Sequence, residues 1–357
     1  MDGIDAALVR FSPEPVLVAS HSLQFPEELR AELLALAVPG DNEIDRLGRA
    51  DARLGRRFAQ VVNELLARAK VASAEVRAIG SHGQTIRHRP GGTAPFTLQI
   101  GDPNVIAAAT GIPVVADFRR KDMALGGQGA PLVPAFHDAI FRKKDKDRVI
   151  VNIGGIANLS VLPGAMARPI LGFDTGPGNT LLDGWSRQHL REPMDRDGAF
   201  AARGHVRSGL LAAFLADPYF SQPPPKSTGP EYFSSAWLRR HLTNAGKPDP
   251  ADVQATLLAL TSRSIADSIC QIPGLNQPDV FVCGGGAHNG ALMRSLQDNL
   301  PKATVTPTDT LGVPVDWVEA MAFAWLARQR LHEKAGNCPL VTGAARPAVL
   351  GGIWLPG

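Results

Sequence analysis

Long apolar runs are missing from this 357-residue chain. None approaches the roughly 18 residues that a membrane helix needs. Cysteine is scarce: Cys270, Cys283 and Cys338 are odd in number, scattered and without a C-x-x-C pair. That argues against a disulfide framework and fits inert thiols in a reducing cytoplasm. Neither sign of charge dominates, with 37 Lys and Arg against 34 Asp and Glu and a formal net charge of +3. Such a balance points neither to nucleic acid nor to an anionic membrane. The opening "MDGIDAALVR" shows no basic segment followed by an apolar one, so no signal peptide is legible there. Two nucleotide fingerprints are also absent, the G-x-x-x-x-G-K-[ST] loop and a G-x-G-x-x-G that opens a helix. His82 and His88 lack the H-E-x-x-H arrangement, and no protein-bound metal site is expected.

What is present reads as an ordinary globular chain, 44% hydrophobic and 20% charged, long enough for two domains. Short β-branched runs ("VRAIGSHGQT", "TLQIGD", "IPVVADF", "RVIVNIGG", "PILGFDTG", "DVFVCGGG") stop at glycine or a polar residue and predict strands. "PEELRAELLALA", "IDRLGRADARLGRRFAQVVNELLARA", "DVQATLLALTSRSIADSI" and "VEAMAFAWLARQRL" carry apolar residues at helical spacing. The mixture predicts α/β layers with largely parallel strands. The charged stretch "FRKKDKDR" is expected as an exposed turn near a domain boundary, and "SQPPPKSTGPEYF" as a semi-rigid surface loop.

Three strands finish in glycine: "VNIGGIANLS", "GFDTGPGNTLLDGW" and "FVCGGGAHNGALM". Glycine turns aim successive backbone amides at one point and so form nests for anionic oxygens. Helices expected after Asn179 and Asn289 would add unsatisfied first-turn amides. One loop carries an acid, Asp174, with three readings. An aspartic-protease half-site fails, because Asp-Thr-Gly occurs once, Asp-Ser-Gly never, and that chemistry needs two carboxylates sharing a proton. A turn or helix-cap role survives beside that of a base facing a phosphate or sugar. Glu319 has its own plain reading, since Asp316-x-x-Glu319 is an acidic relative of the capping box. His82 reads alone as a hydrogen-bonded structural residue, and the run Arg119, Arg120, Lys121 as solvated surface.

Taken in order, "SHGQT", "DFRRKDMALGGQGAPLVPAFH", "NIGGIANLS", "FDTGPGN", "SQPPPKSTGPEYF", "CGGGAHN" and "TGAARPAVLGG" resemble the anhydro-N-acetylmuramic acid kinase family over essentially the whole chain. The resemblance implies two actin/hexokinase-like α/β domains around a nucleotide cleft, with ATP and Mg²⁺ as cofactors. It implies residues 1–131 as a sugar-side domain, rejoined by 343–357, and 132–342 as the domain of the phosphate and adenosine loops. The implied reaction opens the anhydro bridge of 1,6-anhydro-N-acetylmuramic acid and phosphorylates the freed oxygen, in a cytoplasmic enzyme for which a homodimer is compatible. Asp174 would be the base for water and Glu319 an acid that helps orient it. Asn152, Gly154 and Gly155 would form the phosphate hairpin, and Gly284, Gly285, Gly286 and Asn289 the adenosine-side loop. His82, Gln84, Arg119 and Gln128 would contact the sugar. Arg119 is preferred to its neighbours because side chains alternate on an extended segment and because Arg suits a lactyl carboxylate. Family members open with a Gly-x-Met-Ser-Gly-Thr-Ser-x-Asp-Gly-[Val/Ile]-Asp hairpin. "MDGID" matches only its end through Asp2, Gly3 and Asp5, of which Asp2 and Gly3 would be ATP-binding. The rest is absent either because the start is assigned at an internal Met or by a real truncation that leaves one wall of the phosphate cage open.

Overall fold

The computed structural model describes residues 3–243 and 246–357. The chain first forms β1 (Gly3–Arg10), β2 (Val16–Gln24), α1 (Glu27–Leu36), α2 (Glu43–Ala69), β3 (Ile79–Gly80), β4 (Gln84–Arg89) and β5 (Phe96–Ile100). It continues through α3 (Pro103–Thr110), β6 (Val114–Ala116), α4 (Arg120–Ala124), α5 (Val133–Phe141), β7 (Arg148–Ile153), β8 (Ile156–Leu162) and β9 (Leu171–Pro177). Then come α6 (Thr180–Leu190), α7 (Ser208–Leu215), α8 (Ser235–Thr243), α9 (Pro250–Cys270), β10 (Asp279–Cys283), α10 (Gly290–Asn299) and β11 (Thr304–Pro307). The last elements are α11 (Val318–Leu331), α12 (Pro339–Thr342) and β12 (Gly352–Trp354). Among the described residues, no helix is long and apolar enough to cross a membrane.

Two compact units result, Met1–Phe136 with Trp317–Gly357 and His137–Asp316. In the second unit a five-stranded sheet runs β11-β10-β7-β8-β9. Its strands bury Val149, Val151, Ile153, Leu159, Val161 and Phe173 in one core with Leu257, Leu260 and Ile265 of α9. α9 starts as its sequence dictates: Asp249 caps it by accepting the Ala251 amide at 2.8 Å, and Pro250 takes the first helical position, where a missing N–H costs nothing.

The first unit holds a β1-β2 hairpin, a β4-β5 hairpin and a β12-β6-β3 sheet. α2 buries Ala50, Leu54, Val61 and Leu65 at helical spacing. α11 packs on β1, β3 and β6, burying Met321, Ala322, Phe323 and Trp325. Gly80 permits this approach, because a Cβ there would fall on the Phe323 carbonyl. The return to the first unit therefore begins at Trp317, before α11, whereas the sequence reading placed it at 343. The first boundary falls within α5, at Phe136/His137 and not at 131/132.

The expectation of largely parallel strands is corrected. Among the described residues, five of the eight strand pairings are antiparallel. The Gly154–Gly155 turn between β7 and β8 is too short for a crossover, so those strands can pair only antiparallel.

Candidate active site

In the second unit, β7 and β10 are parallel neighbours with Asn152 opposite Cys283, so their glycine loops lie side by side at the strands' carboxyl ends. Ligands of open α/β sheets bind at such ends. Gly284 adopts φ +79°, and a Cβ there would strike Asn152 Oδ1, so only glycine fits. Gly285 is exposed, and a Cβ on it would meet nothing nearer than Asn179 Nδ2 at 3.8 Å, which leaves that backbone open to a ligand. Among the described residues no backbone acceptor takes the Gly154 or Gly155 amide. Their carbonyls are engaged: Gly154 O accepts from the Asn179 amide at 2.8 Å, and Gly155 O from Gly178 at 2.9 Å and Thr180 at 3.1 Å. The hairpin is thereby fastened to the start of α6. Open amides on glycine turns fit the phosphates of a nucleotide.

The same sheet lines up Asn152, Asn158 and Asp174 on β7, β8 and β9. Paired residues share a face, so the three side chains project together. A bulge makes Thr175 the extra residue, since Ala157 faces Gly176 while Asn158 faces Asp174. Bulges re-aim side chains in this way beside functional sites.

β9 is the edge strand, and the proline-rich segment covers its outer side. The Asp174 amide donates to Lys226 O at 3.0 Å, and the Tyr219 hydroxyl donates to the Asp174 carbonyl at 2.7 Å. The Ser227 hydroxyl and the Thr228 amide both donate to Oδ2, at 3.0 and 2.9 Å. Oδ1 accepts no hydrogen bond from any described residue. Burial pushes the Asp174 carboxyl above its ordinary value, and the Thr228 and Ser227 bonds pull it back. A carboxylate with one oxygen held, the other open and its hydration reduced is equipped to take a proton.

In the first unit, Arg119 is half-buried and forms no ion pair among the described residues. Its Nε donates to His82 Nε2 at 3.0 Å and its Nη1 to Gly129 O at 2.7 Å. Burial lowers the Arg119 pKa, opposed by Glu319 and Asp122. His82 lies against Phe323 with ring centroids 4.5 Å apart. Burial, then the Arg119 charge, holds its imidazole down to about 3. Glu319 stands in the first turn of α11, where solvent still reaches a side chain surrounded by dense protein. Lost hydration pushes its carboxyl up, Arg119 pulls it down and Asp5 pushes it up again. Gln84 opens β4 and donates to Thr85 O at 3.2 Å. Gln128 is exposed, its amide donating to Thr342 O at 2.7 Å.

Several expectations change. Asp174 caps nothing: α6 begins at Asn179, whose side chain donates to Ile153 O at 3.1 Å. Asp316 does not cap α11 either, because it pairs with His288 at 2.8 Å and the cap position is Trp317. Some of the amides opening α6 and α10 are already engaged. At α6 the Asn179 and Thr180 amides go to the hairpin carbonyls; at α10, Asp197 takes the Gly290 amide at 2.7 Å and Asn289 the Leu292 amide at 3.1 Å. Asn289 is thus a helix cap. Arg119 is not on an extended segment but at the start of α4, which turns Arg120 outward to Asp117 at 2.8 Å. Gly3 is a β1 residue paired with Gln24, and Asp2 lies outside the described residues. Sequence reasoning assigned no role to Asn158, Tyr219, Ser227 or Thr228. The signal available for Asn158 was its place mirroring Asn152 across the Gly-Gly turn.

The family described as "Anhydro-N-acetylmuramic acid kinase" matches residues 1–356. A protein of that name from Shewanella amazonensis is 57% identical over 352 residues, 98% of this chain and 95% of its own. Another of that name from Coxiella burnetii is 52% identical over 354 residues, 99% of this chain and 94% of its own. Among solved structures, the activator of the 2-hydroxyisocaproyl-CoA dehydratase from Clostridium difficile with bound ADPNP superposes at a TM-score of 0.45 and 12% identity, over 93% of this chain and 95% of that one.

Proposed function

The chain belongs to the anhydro-N-acetylmuramic acid kinase family, and we propose that Asp174 is the base that activates water in its reaction. The activity is ATP-dependent phosphorylation of 1,6-anhydro-N-acetylmuramic acid to N-acetylmuramic acid 6-phosphate, a step of peptidoglycan recycling. The substrate's chemistry decides what the protein must supply. The bridging oxygen is bound to the anomeric carbon and has no proton to remove. Water attacks that carbon, the carbon–oxygen bond of the bridge breaks, and the freed oxygen takes the γ-phosphoryl group as ADP leaves. The proton to be removed is therefore the water's. The bridge occupies the β face, so in-line attack gives the α-anomer first.

The observation that carries the assignment is the asymmetry of Asp174, with Oδ2 held by Ser227 and Thr228 and Oδ1 uncommitted among the described residues. The open amides of Gly154 and Gly155 suit the nucleotide's phosphates, with Asn152 and Asn158 beside them, and the exposed Gly285 backbone suits its adenosine side. Mg²⁺ belongs on those phosphates, where it neutralises charge during transfer. Arg119, cationic and without an acidic partner among the described residues, suits the lactyl carboxylate, oriented by neutral His82. Glu319, Gln84 and Gln128 are assigned to water and sugar hydroxyls. Three scattered cysteines without a C-x-x-C pair and the need for ATP suit a cytoplasmic enzyme.

Asp174→Asn tests the assignment. Sugar-dependent turnover should fall by about 10²–10⁴ while ATP still binds, the loss typical of a positioned acid–base group. Near-native turnover would remove Asp174 from the chemistry.

A further inference from the structure

The segment that covers β9 does more than shield an edge. Pro223, Pro224 and Pro225 stiffen it, because each fixes one backbone angle before folding. Lys226 ties it back on itself, its ammonium reaching Tyr219 O at 3.3 Å and Phe220 O at 3.4 Å while lying 4.8 Å from the Tyr219 ring centroid. The Tyr219 hydroxyl, pushed far up by burial and by the Asp174 charge, remains a neutral donor to the Asp174 carbonyl. Four groups of this one strap thus hold one residue: Lys226 O and Tyr219 OH on its backbone, Ser227 OH and the Thr228 amide on its carboxylate.

We propose that Ser227 is a positioning residue for the reaction: with the Thr228 amide it fastens Oδ2 of Asp174, so that Oδ1 alone receives the water's proton. The inference rests on the assignment of Asp174 as the base. A carboxylate free to rotate presents either oxygen and loses alignment with the water. The bond from Ser227 also favours the ionised form, opposing the effect of burial. Thr228 contributes through its backbone, which a side-chain substitution leaves in place. Ser227 contributes through a hydroxyl, so its share is separable.

The sign follows. Removing a donor to the carboxylate raises the Asp174 pKa, so the acid limb of the kcat/KM profile moves to higher pH. For Ser227→Ala, turnover on the acid limb should fall roughly three- to tenfold relative to wild type at the same pH, with less than about a twofold loss on the plateau above it. Ser227→Thr, which keeps a hydroxyl, should return the limb to its wild-type position. Melting temperatures of the same samples exclude unfolding as the cause. A loss equal at all pH values would mean a merely structural serine, and an unmoved limb would equally overturn the proposal. Asp174→Asn, measured alongside, keeps the two claims distinct. If it retains a wild-type acid limb, the base assignment falls and this inference with it. If it abolishes turnover while the Ser227→Ala limb stays put, only this inference falls.

Discussion

His82 offers a lone pair to Arg119, and that fixes its protonation state. Nε2 accepts from the guanidinium at 3.0 Å, so the ring proton sits on Nδ1, turned to the Gly83 backbone. Protonating Nε2 would break the bond and set two cations together. Burial acts in the same direction, holding the imidazole down to about 3, against about 6.5 for an unfolded chain. The group therefore binds fewer protons folded than unfolded between those values. Its contribution to stability is present above the unfolded pKa and is lost as pH falls toward the folded one. His82, identified in imidazole NMR by its disappearance in His82→Gln, should show no titration between about pH 8 and pH 5. A midpoint near the ordinary value would mean that the Arg119 contact does not form. Arg119 was preferred in the sequence to its two basic neighbours. The reason given for it was wrong, because a helix start and not strand alternation separates it from Arg120.

Glycine placement separates fold from function at the scale of elements. Gly284 and Gly285 are neighbours in one turn, yet the backbone demands only the first. Gly284→Ala places a side chain at φ +79° and against Asn152, a strain of about 1–3 kcal/mol that should lower the melting temperature. Gly285→Ala meets nothing closer than 3.8 Å, so stability should hold. If this backbone faces the nucleotide, ATP affinity in Gly285→Ala should nonetheless drop about tenfold, by loss of charge-assisted bonds. Unchanged affinity, read by calorimetry, would detach the loop from the nucleotide. Strands such as β7 and β10 were visible in the sequence because buried apolar runs end sharply at glycine. β8 was not visible in its own residues; only the resemblance implied it, as the second half of the phosphate hairpin. β1 and β2 escaped for another reason. Burial alternates along β2, but exposed positions hold Val16 and Val18 and inner ones include Ala19 and His21, so the residue types do not. The strap's hold on Asp174 joins residues 45 to 54 positions apart, a link no local pattern encodes.

Across the whole molecule, the order of the motifs carried the reading further than any single one. Each glycine loop alone is ambiguous, whereas their sequence from "SHGQT" to "TGAARPAVLGG" is not. The path of the chain was harder to read. α11 lies far along the sequence from β1, β3 and β6, and its apolar residues say only that it is buried, not by which sheet. Asp174 belongs to one unit and Arg119 and Glu319 to the other, so the candidate residues are drawn from both halves of the chain. The central claim is that water, activated by Asp174, opens the bridge while the bridging oxygen receives the phosphoryl group. Turnover of the anhydro-sugar with ATP in oxygen-18 water, followed by mass spectrometry of the product, tests it directly. The account predicts label at the anomeric oxygen and none in the phosphate; label in the phosphate, or an unlabelled anomeric oxygen in product analysed before exchange, would contradict it.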